Sequence, residues 1–460
     1  MPNSRPSFGQ GDQRTDADRL EDLRKVQRQV RSIITTREDP AFESRLLQEV
    51  RDRRRRRRRD RERPIDFDLI PDKHGGTTPA AAATSRAKLL VRKRDEASVR
   101  RLLVEVYGLS ESDVAGELAG EVAAYTGDLS SLEIGHLASN LRRQGVQISA
   151  NYMTALGGSV KSVASPERTD GPKPGFPAAA AAEAQDSAVR VVVIDTGVHG
   201  HARTDGWLHE LDEGADVNRE ELDVFPPANF LDLAAGHGSF CAGIVQQIVP
   251  EADIKVHRVL DSDGFADELT IAESLVKNVL DGLNAGKDVI VSLSLGEETA
   301  DDERPVALGA ALEIIDEKAR EHGREALVVA AAGNYGHDRP CYPAAFPTVT
   351  AVAALTQGLL PALWSSRGAW VDVCTIGEGV RSTFVEGIES PVTDYRFEEF
   401  TDNPWALWSG TSFAAPQVAG AIAKIALDQG VTPTEAKRRL LEHADEVPLY
   451  GKRVEILPHI

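Results

Sequence analysis

VRVVVID, residues 189–195, is an aliphatic run broken by one arginine and closed by an aspartate. A strand wetted on one face would alternate apolar and polar residues; this one reads as buried on both faces. DVIVSLSLG (288–296), EALVVAAAG (325–333) and TVTAVAAL (348–355) are of the same kind. Amphipathic segments such as 267–284 and 304–322 separate them at helical spacing. Continuous apolar strands alternating with such helices predict an α/β domain over 188–460, a doubly wound parallel sheet covered on both faces. No internal repeat is visible.

Upstream the sequence changes character. Residues 159–187, including SPERTDGPKPGFPAAAAAEAQDS, show no periodicity and predict a flexible linker open to cleavage. Residues 87–158 predict a small α/β unit. In it KLLVRK (88–93) and Val122 to Tyr125 read as strands, and VQISANYM (146–153) as a closing strand. Val99, Leu102, Leu103 and Val106 make one helical face, and Leu132, Leu137 and Leu141 another. Residues 64–86 read as a linker, with a Gly-, Thr-, Pro- and Ala-rich loop from 71. Within 1–63, Leu20, Leu23, Val26, Val30, Ile33 and Ile34 recur at helical spacing, interrupted at Pro40.

The net charge of −19 is unevenly spread. Residues 1–63 carry 19 Lys/Arg against 12 Asp/Glu, and seven arginines run unbroken from Arg53 to Arg59. Such a run could grip nucleic acid, an acidic surface or an acidic partner, or be a solvated helix end. No aromatic residue is interleaved to stack on bases, and the rest of the chain is acidic, which argues against a dedicated nucleic-acid protein. No stretch approaches the roughly 18 apolar residues that span a bilayer, so no transmembrane segment is expected. The first twenty residues lack the apolar core of a secretory signal. Three cysteines, Cys241, Cys341 and Cys374, make no disulfide framework. A cytoplasmic protein is expected; abundant Arg and Ala point to a bacterial source.

Three motifs carry the chemistry. In VVVIDTGVHGH (191–201) a buried strand ends on Asp195, which would face the crevice where such sheets bind ligands. In AAGHGSFCAGIV (234–245) His237 lies between glycines that admit close backbone approach. In WSGTSFAAPQVAG (408–420) Ser412 opens a small-residue helix whose first turn tolerates Pro416. A hydroxyl there has backbone amides nearby, which suits a developing oxyanion; the plain alternative is an N-cap serine. Serine needs a base, and the base needs an acid to hold its tautomer. Asp195, His237 and Ser412 follow in that order, 42 and 175 residues apart.

Together these motifs, above all Gly410-Thr411-Ser412-Phe413-Ala414-Ala415-Pro416, resemble the subtilisin-like serine protease family (subtilases, the S8 peptidases) over 188 to about 445. The resemblance implies Asp195 as orienting acid, His237 as general base and Ser412 as nucleophile. It implies Asn334, in AAAGN (330–334), as an oxyanion-hole donor beside the Ser412 N–H. It implies that Ser294, Leu295 and Gly296 pair with substrate, and that Ala331, Ala332 and Gly333 help line an open, apolar pocket. No cofactor or metal is required. Carboxylate-rich segments at 209–223 and 297–303 would favour basic substrates, bind calcium as in many relatives, or be solvated surface; none has a recognisable ligand spacing.

The chain departs from the family pattern at Ser239-Phe240-Cys241, where Thr-His-Val is usual. Cys241 resembles the thiol beside the active site in the proteinase K-like branch, a reactive group or a small buried hydrophobe. Many relatives carry a small α/β prodomain, so 87–158 is either an intramolecular inhibitor, acting through 87–187, or a partner-binding module. The expected function is limited proteolysis of protein substrates. The alternatives are a catalytically silent scaffold and a protease tethered to nucleic acid by Arg53–Arg59.

Overall fold

The computed structural model of the protein describes residues 15–38, 42–56, 66–71, 73–74, 77–83, 86–155, 164–171, 187–201, 203–211, 216–391 and 398–457. Helices α1 (Asp16–Glu38) and α2 (Phe42–Arg56) lie either side of Pro40. Of the six apolar residues noted on α1, Val26, Val30 and Ile33 turn into the main core, while Leu20, Leu23 and Ile34 are exposed. Strands β1 (Asp66–Pro71) and β2 (Thr77–Ala83) pair as a hairpin where a linker was expected. The Ala- and Thr-rich β2 lacks an apolar alternation; backbone pairing to β1 and to the next strand is what organises it.

Strand β3 (Arg86–Arg92) is central to the small sheet and pairs antiparallel with β5 (Val122–Thr126) and β6 (Ile148–Ala150), while β4 (Ser110–Ser112) joins β5. Helices α3 (Lys93–Arg101) and α4 (Ser131–Arg142) cover one face of this sheet through Val99, Ile134, Leu137 and Leu141. The expected closing strand is split. Asn151 bonds Asp267 at 2.8 Å and accepts from the Leu269 N–H at 3.1 Å, which redirects the chain. Strand β7 (Met153–Ala155) therefore leaves the small sheet and pairs elsewhere. Strand β8 (Glu167–Thr169) follows, in the region expected as linker.

Strand β9 (Val189–Asp195) lies between β10 (Asp253–Arg258) and β12 (Asp288–Leu293); β11 (Phe265–Asp267) pairs antiparallel with β7. The sheet continues in parallel through β13 (Ala326–Ala331), β14 (Val349–Leu355) and β15 (Val373–Ile376). Strands β16 (Val380–Thr383), β17 (Gly387–Ile388), β18 (Glu399–Phe400) and β19 (Trp405–Trp408) make two small antiparallel sheets, β19 also pairing with β8. Strands β20 (Asp445–Val447) and β21 (Gly451–Arg453) finish the large sheet.

Alternate residues of β9 separate two apolar layers. Val191 and Val193 pack with α5 (His237–Ile248) and α8 (Ala415–Gln429) on one face. Val192 and Ile194 pack with α6 (Glu268–Asn284) and α7 (Val306–Glu321) on the other. Leu90, Leu118, Val122 and Ala124 of the small unit extend this second layer. Helix α9 (Pro433–Leu441) packs against α8. Strand order reverses between β9 and β12, so their carboxyl ends open one crevice, the usual ligand position in such sheets. No helix among the described residues is long and apolar enough to cross a membrane.

Candidate active site

Ile194 is in register with Leu293 of β12, and Leu293 with Ala330 of β13. Asp195, the 294–296 segment and the 331–333 segment therefore emerge side by side at one edge. Asp195 Oδ1 lies 2.8 Å from His237 Nδ1 and accepts from the Thr196 N–H, also at 2.8 Å. That fixes the ring so that Nε2 is left for proton transfer. Among the described residues Nε2 has no hydrogen-bond partner. The ring packs against Trp408 and Phe413, centroids 5.5 and 5.2 Å away, which also touch each other.

The glycines around His237 answer to contacts. A Cβ on Gly238 would stand 2.1 Å from the Gly197 carbonyl oxygen. Gly236 has φ +90°, and a Cβ there would enter the Phe384 ring at 2.4 Å. Only glycine lets α5 start this close to the Asp195 turn.

Ser412 lies in a short 3-10 turn, Thr411–Phe413, that leads into α8. Its hydroxyl donates to the Ser294 carbonyl at 3.1 Å rather than to His237. Ser294 Oγ donates to the Ser412 carbonyl at 2.7 Å, so each serine holds the other's backbone. Asn334 Oδ1 accepts from Thr411 N–H at 2.8 Å and Thr411 Oγ1 at 3.0 Å, orienting the amide's NH2 end. Asp195, His237 and Ser412 are all fully buried. On the described chain, β7 runs along the crevice, with Thr154 bonded to Glu297.

Three features were not read from the sequence. Buried Glu220 accepts from Thr196 Oγ1, from the Gly236 N–H at 2.9 Å, and from both N–H and hydroxyl of Ser239. It thereby joins the Asp195 turn to the first turn of α5, and its burial raises its carboxyl above the usual range. It falls inside the acidic 209–223 segment, where only its position among other carboxylates marked it. Cys341 is the second: its Sγ stands 2.6 Å from where a Cβ of Gly296 would be and 3.1 Å from that of Gly333. This thiol therefore lies beside both glycines of the pocket expected to be open and apolar. The third is the fate of Arg53 and Arg54, for which a partner and a solvated helix end were both open: both are buried in ion pairs with the catalytic body. Arg57–Arg59 lie outside the described residues, as do the side chains of the two arginines before them.

Cys241 Sγ lies 3.8 Å from His237 Nδ1 and 3.6 Å from the Ser412 carbonyl, and burial beside Asp195 pushes its thiol well above the ordinary range. Asp195, His237 and Cys241 bring potential ligand atoms within 4.8 Å of one another. In this set Nδ1 is already engaged with Asp195, at 2.8 Å. The acidic 297–303 segment spends carboxylates on Lys73 between β1 and β2, on the small unit and on Arg339. Asp302 pairs with Lys73 at 2.8 Å, Glu303 with Arg142 at 3.1 Å, and Glu298 with Arg339 at 3.1 Å.

Residues 186–454, more than half of the chain, match the subtilase family model. The protein belongs to that family and is a subtilisin-like serine endopeptidase by class. Among curated proteins it is similar to thermitase of Thermoactinomyces vulgaris, 26% identical over 57% of this chain and 84% of the relative. It is 30% identical to a thermophilic serine proteinase of Bacillus sp. (strain AK1), over 57% of each. Subtilisin BL of Lederbergia lenta is 29% identical over 52% of this chain and 76% of the relative.

Proposed function

We propose that this protein hydrolyses peptide bonds in protein substrates through an acyl-enzyme on Ser412, in limited rather than bulk proteolysis. The observation that carries the reading is the Asp195–His237 contact of 2.8 Å at the crevice, beside the turn that bears Ser412. For reaction, the Ser412 hydroxyl turns from the Ser294 carbonyl toward His237 Nε2, which takes its proton as the oxygen attacks the substrate carbonyl. Asp195 stabilises the imidazolium. The Asn334 amide and the Ser412 N–H receive the oxyanion, and losing one such donor costs roughly 2.7–4 kcal/mol. The imidazolium then protonates the leaving amine, and water releases the acyl group. Ser294, Leu295 and Gly296 pair with the substrate backbone, and Ala331, Ala332 and Gly333 border the side chain before the scissile bond.

In this reading the small unit, 87–158, inhibits in cis. Support comes from β7, which adds to β11 along the crevice, and from the burial of the site. Self-cleavage is expected within about 153–187, a stretch described only in part. A cytoplasmic location remains part of the proposal, supported by three free, buried thiols.

The test is labelling of purified protein by a fluorophosphonate probe. Wild type should label and Ser412→Ala should not, and only wild type should shorten within 153–187. Absence of labelling in both the full chain and a processed form would favour the silent scaffold. Persistence of intact wild type would sink the maturation step.

A further inference from the structure

We propose that Arg53 and Arg54 are positioning residues, seated in an arginine-pair socket on the catalytic body, through which the N-terminal helices brace the approaches to both His237 and Ser412. This rests on the active-site reading above and adds a role for a region outside the family match.

Two arginines of a seven-arginine run would ordinarily face water, yet Arg53 and Arg54 are only 5% and 4% exposed. Arg53 donates to the Pro226 carbonyl at 2.8 Å and to Asp232 at 3.0 Å, and pairs with Asp263 at 3.2 Å. Arg54 pairs with Asp261, its guanidinium 5.5 Å from the centre of the Phe225 ring and 5.1 Å from that of Phe265. Carboxylates at the end and aromatic faces at the side suit a guanidinium.

The socket is joined to the catalytic histidine by a short chain of turns. Asp232 also accepts from the Val224 N–H and from Ser262 Oγ, both at 2.6 Å, tying three segments together. The Ser262 carbonyl accepts from Ala234 N–H at 2.8 Å, and the Ala234 carbonyl from His237 N–H at 3.0 Å. At the other end of the brace, Gln29 on α1 donates to the Leu407 carbonyl at 2.8 Å and accepts from Ser409 Oγ at 2.6 Å. Ser409 is three residues before the nucleophile. Asp22 on the same helix pairs with Arg381.

The groups facing the socket are Arg53 and Arg54 from α2, Asp232 from the loop before α5, and Asp261 and Asp263 from the loop before β11. Burial pushes Asp232 up to about 6 and Asp263 up to about 7, even with Arg53 in place. Without the arginines both carboxyls lose the cations that favour their ionisation and stay protonated to higher pH, so the cost of burying them grows as pH rises above neutral and shrinks in mild acid.

The experiment uses the full chain as wild type, as Arg53→Met/Arg54→Met, and as Arg53→Lys/Arg54→Lys. Hydrogen exchange, corrected for intrinsic rates, is followed at pH 6 and pH 8, with fluorophosphonate labelling in parallel. In the Met pair, exchange over 224–240 should rise at least about tenfold at pH 8 and less than about threefold at pH 6, with 189–195 still protected. The Lys pair should fall between, and the Met pair should label about tenfold more slowly at pH 8. Unchanged exchange over 224–240 overturns the brace. If neither the full chain nor a processed form of wild type labels while exchange changes as stated, the catalytic reading fails and the brace stands. If the Met pair also loses protection at 189–195, Arg54→Met alone decides, because its partly exposed partner Asp261 tolerates the loss; unchanged exchange over 258–266 then overturns the proposal.

Discussion

Glu220 shows how much the candidate site depends on a residue outside the proposed catalytic set. Its two oxygens satisfy hydroxyls and N–H groups on both sides of the Asp195–His237 contact. Glu220→Ala leaves several buried donors unpaired, each costing about 1–3 kcal/mol. Thermal unfolding should therefore start several degrees lower, and kcat should fall more than KM rises. Cys341 acts on specificity instead. Cys341→Gly removes the sulfur between Gly296 and Gly333, and kcat/KM for peptides with a bulky residue before the scissile bond should rise about tenfold over those with alanine. A peptide series on both enzymes checks this; an unchanged ratio would mean that the thiol closes no pocket. Cys241, buried and with its thiol raised, should resist iodoacetamide in the folded protein and react on unfolding, read by mass spectrometry.

At the scale of elements, the start of α6 links the crevice strand to the catalytic body. Asp267 caps this helix by accepting from the Thr270 N–H at 3.3 Å and its hydroxyl at 2.6 Å, while its Oδ1 also holds Asn151. Asp267→Ala loses the cap, worth roughly 0.5–2 kcal/mol, and frees the turn that sends the chain into β7. Chemical denaturation should show the loss. Self-cleavage should be faster than in wild type if loosening of β7 limits it, as a time course on a gel would show. Helix α5 makes the complementary point: its flanking glycines are legible in the motif, whereas the Phe384 ring and Gly197 carbonyl that require them come from distant segments.

Across the whole molecule, buried carboxyls set the pH response. Burial raises Glu220 and Glu268, pushes Glu297 up to about 8, Asp263 to about 7 and Asp232 to about 6. These groups hold protons in the folded chain that the unfolded chain has released, so stability falls as pH rises from about 5 to about 8. Asp253, beside Lys287 and Arg190, and Asp302, beside Lys73, are lowered, and their contribution is lost as pH drops below about 4. The urea midpoint should peak near pH 5 and decline on both sides. A midpoint that climbs steadily to pH 8 would contradict the burial of these carboxyls.

The segments that bear Asp195, His237, Ser412 and Asn334, and the strand that ends at Asp195, were legible in the amino-acid order. Each sits in a short segment whose own backbone demands are written locally: an aliphatic run ending in Asp, a His between glycines, a Ser before a helix that admits Pro416. Contacts across long separations leave no such mark. Glu220 reaches Thr196 from 24 residues away, Arg53 meets Asp232 after 179, and Gln29 meets Ser409 after 380. A charge run looks alike whether its side chains face water or enter a socket, and a glycine pair looks alike whether the space between is open or holds a thiol. Local conformational preference is encoded residue by residue; burial and partnership arise only when the chain has closed on itself, and here they placed Cys341 beside two glycines, Arg53 and Arg54 in buried ion pairs, and β7 alongside β11.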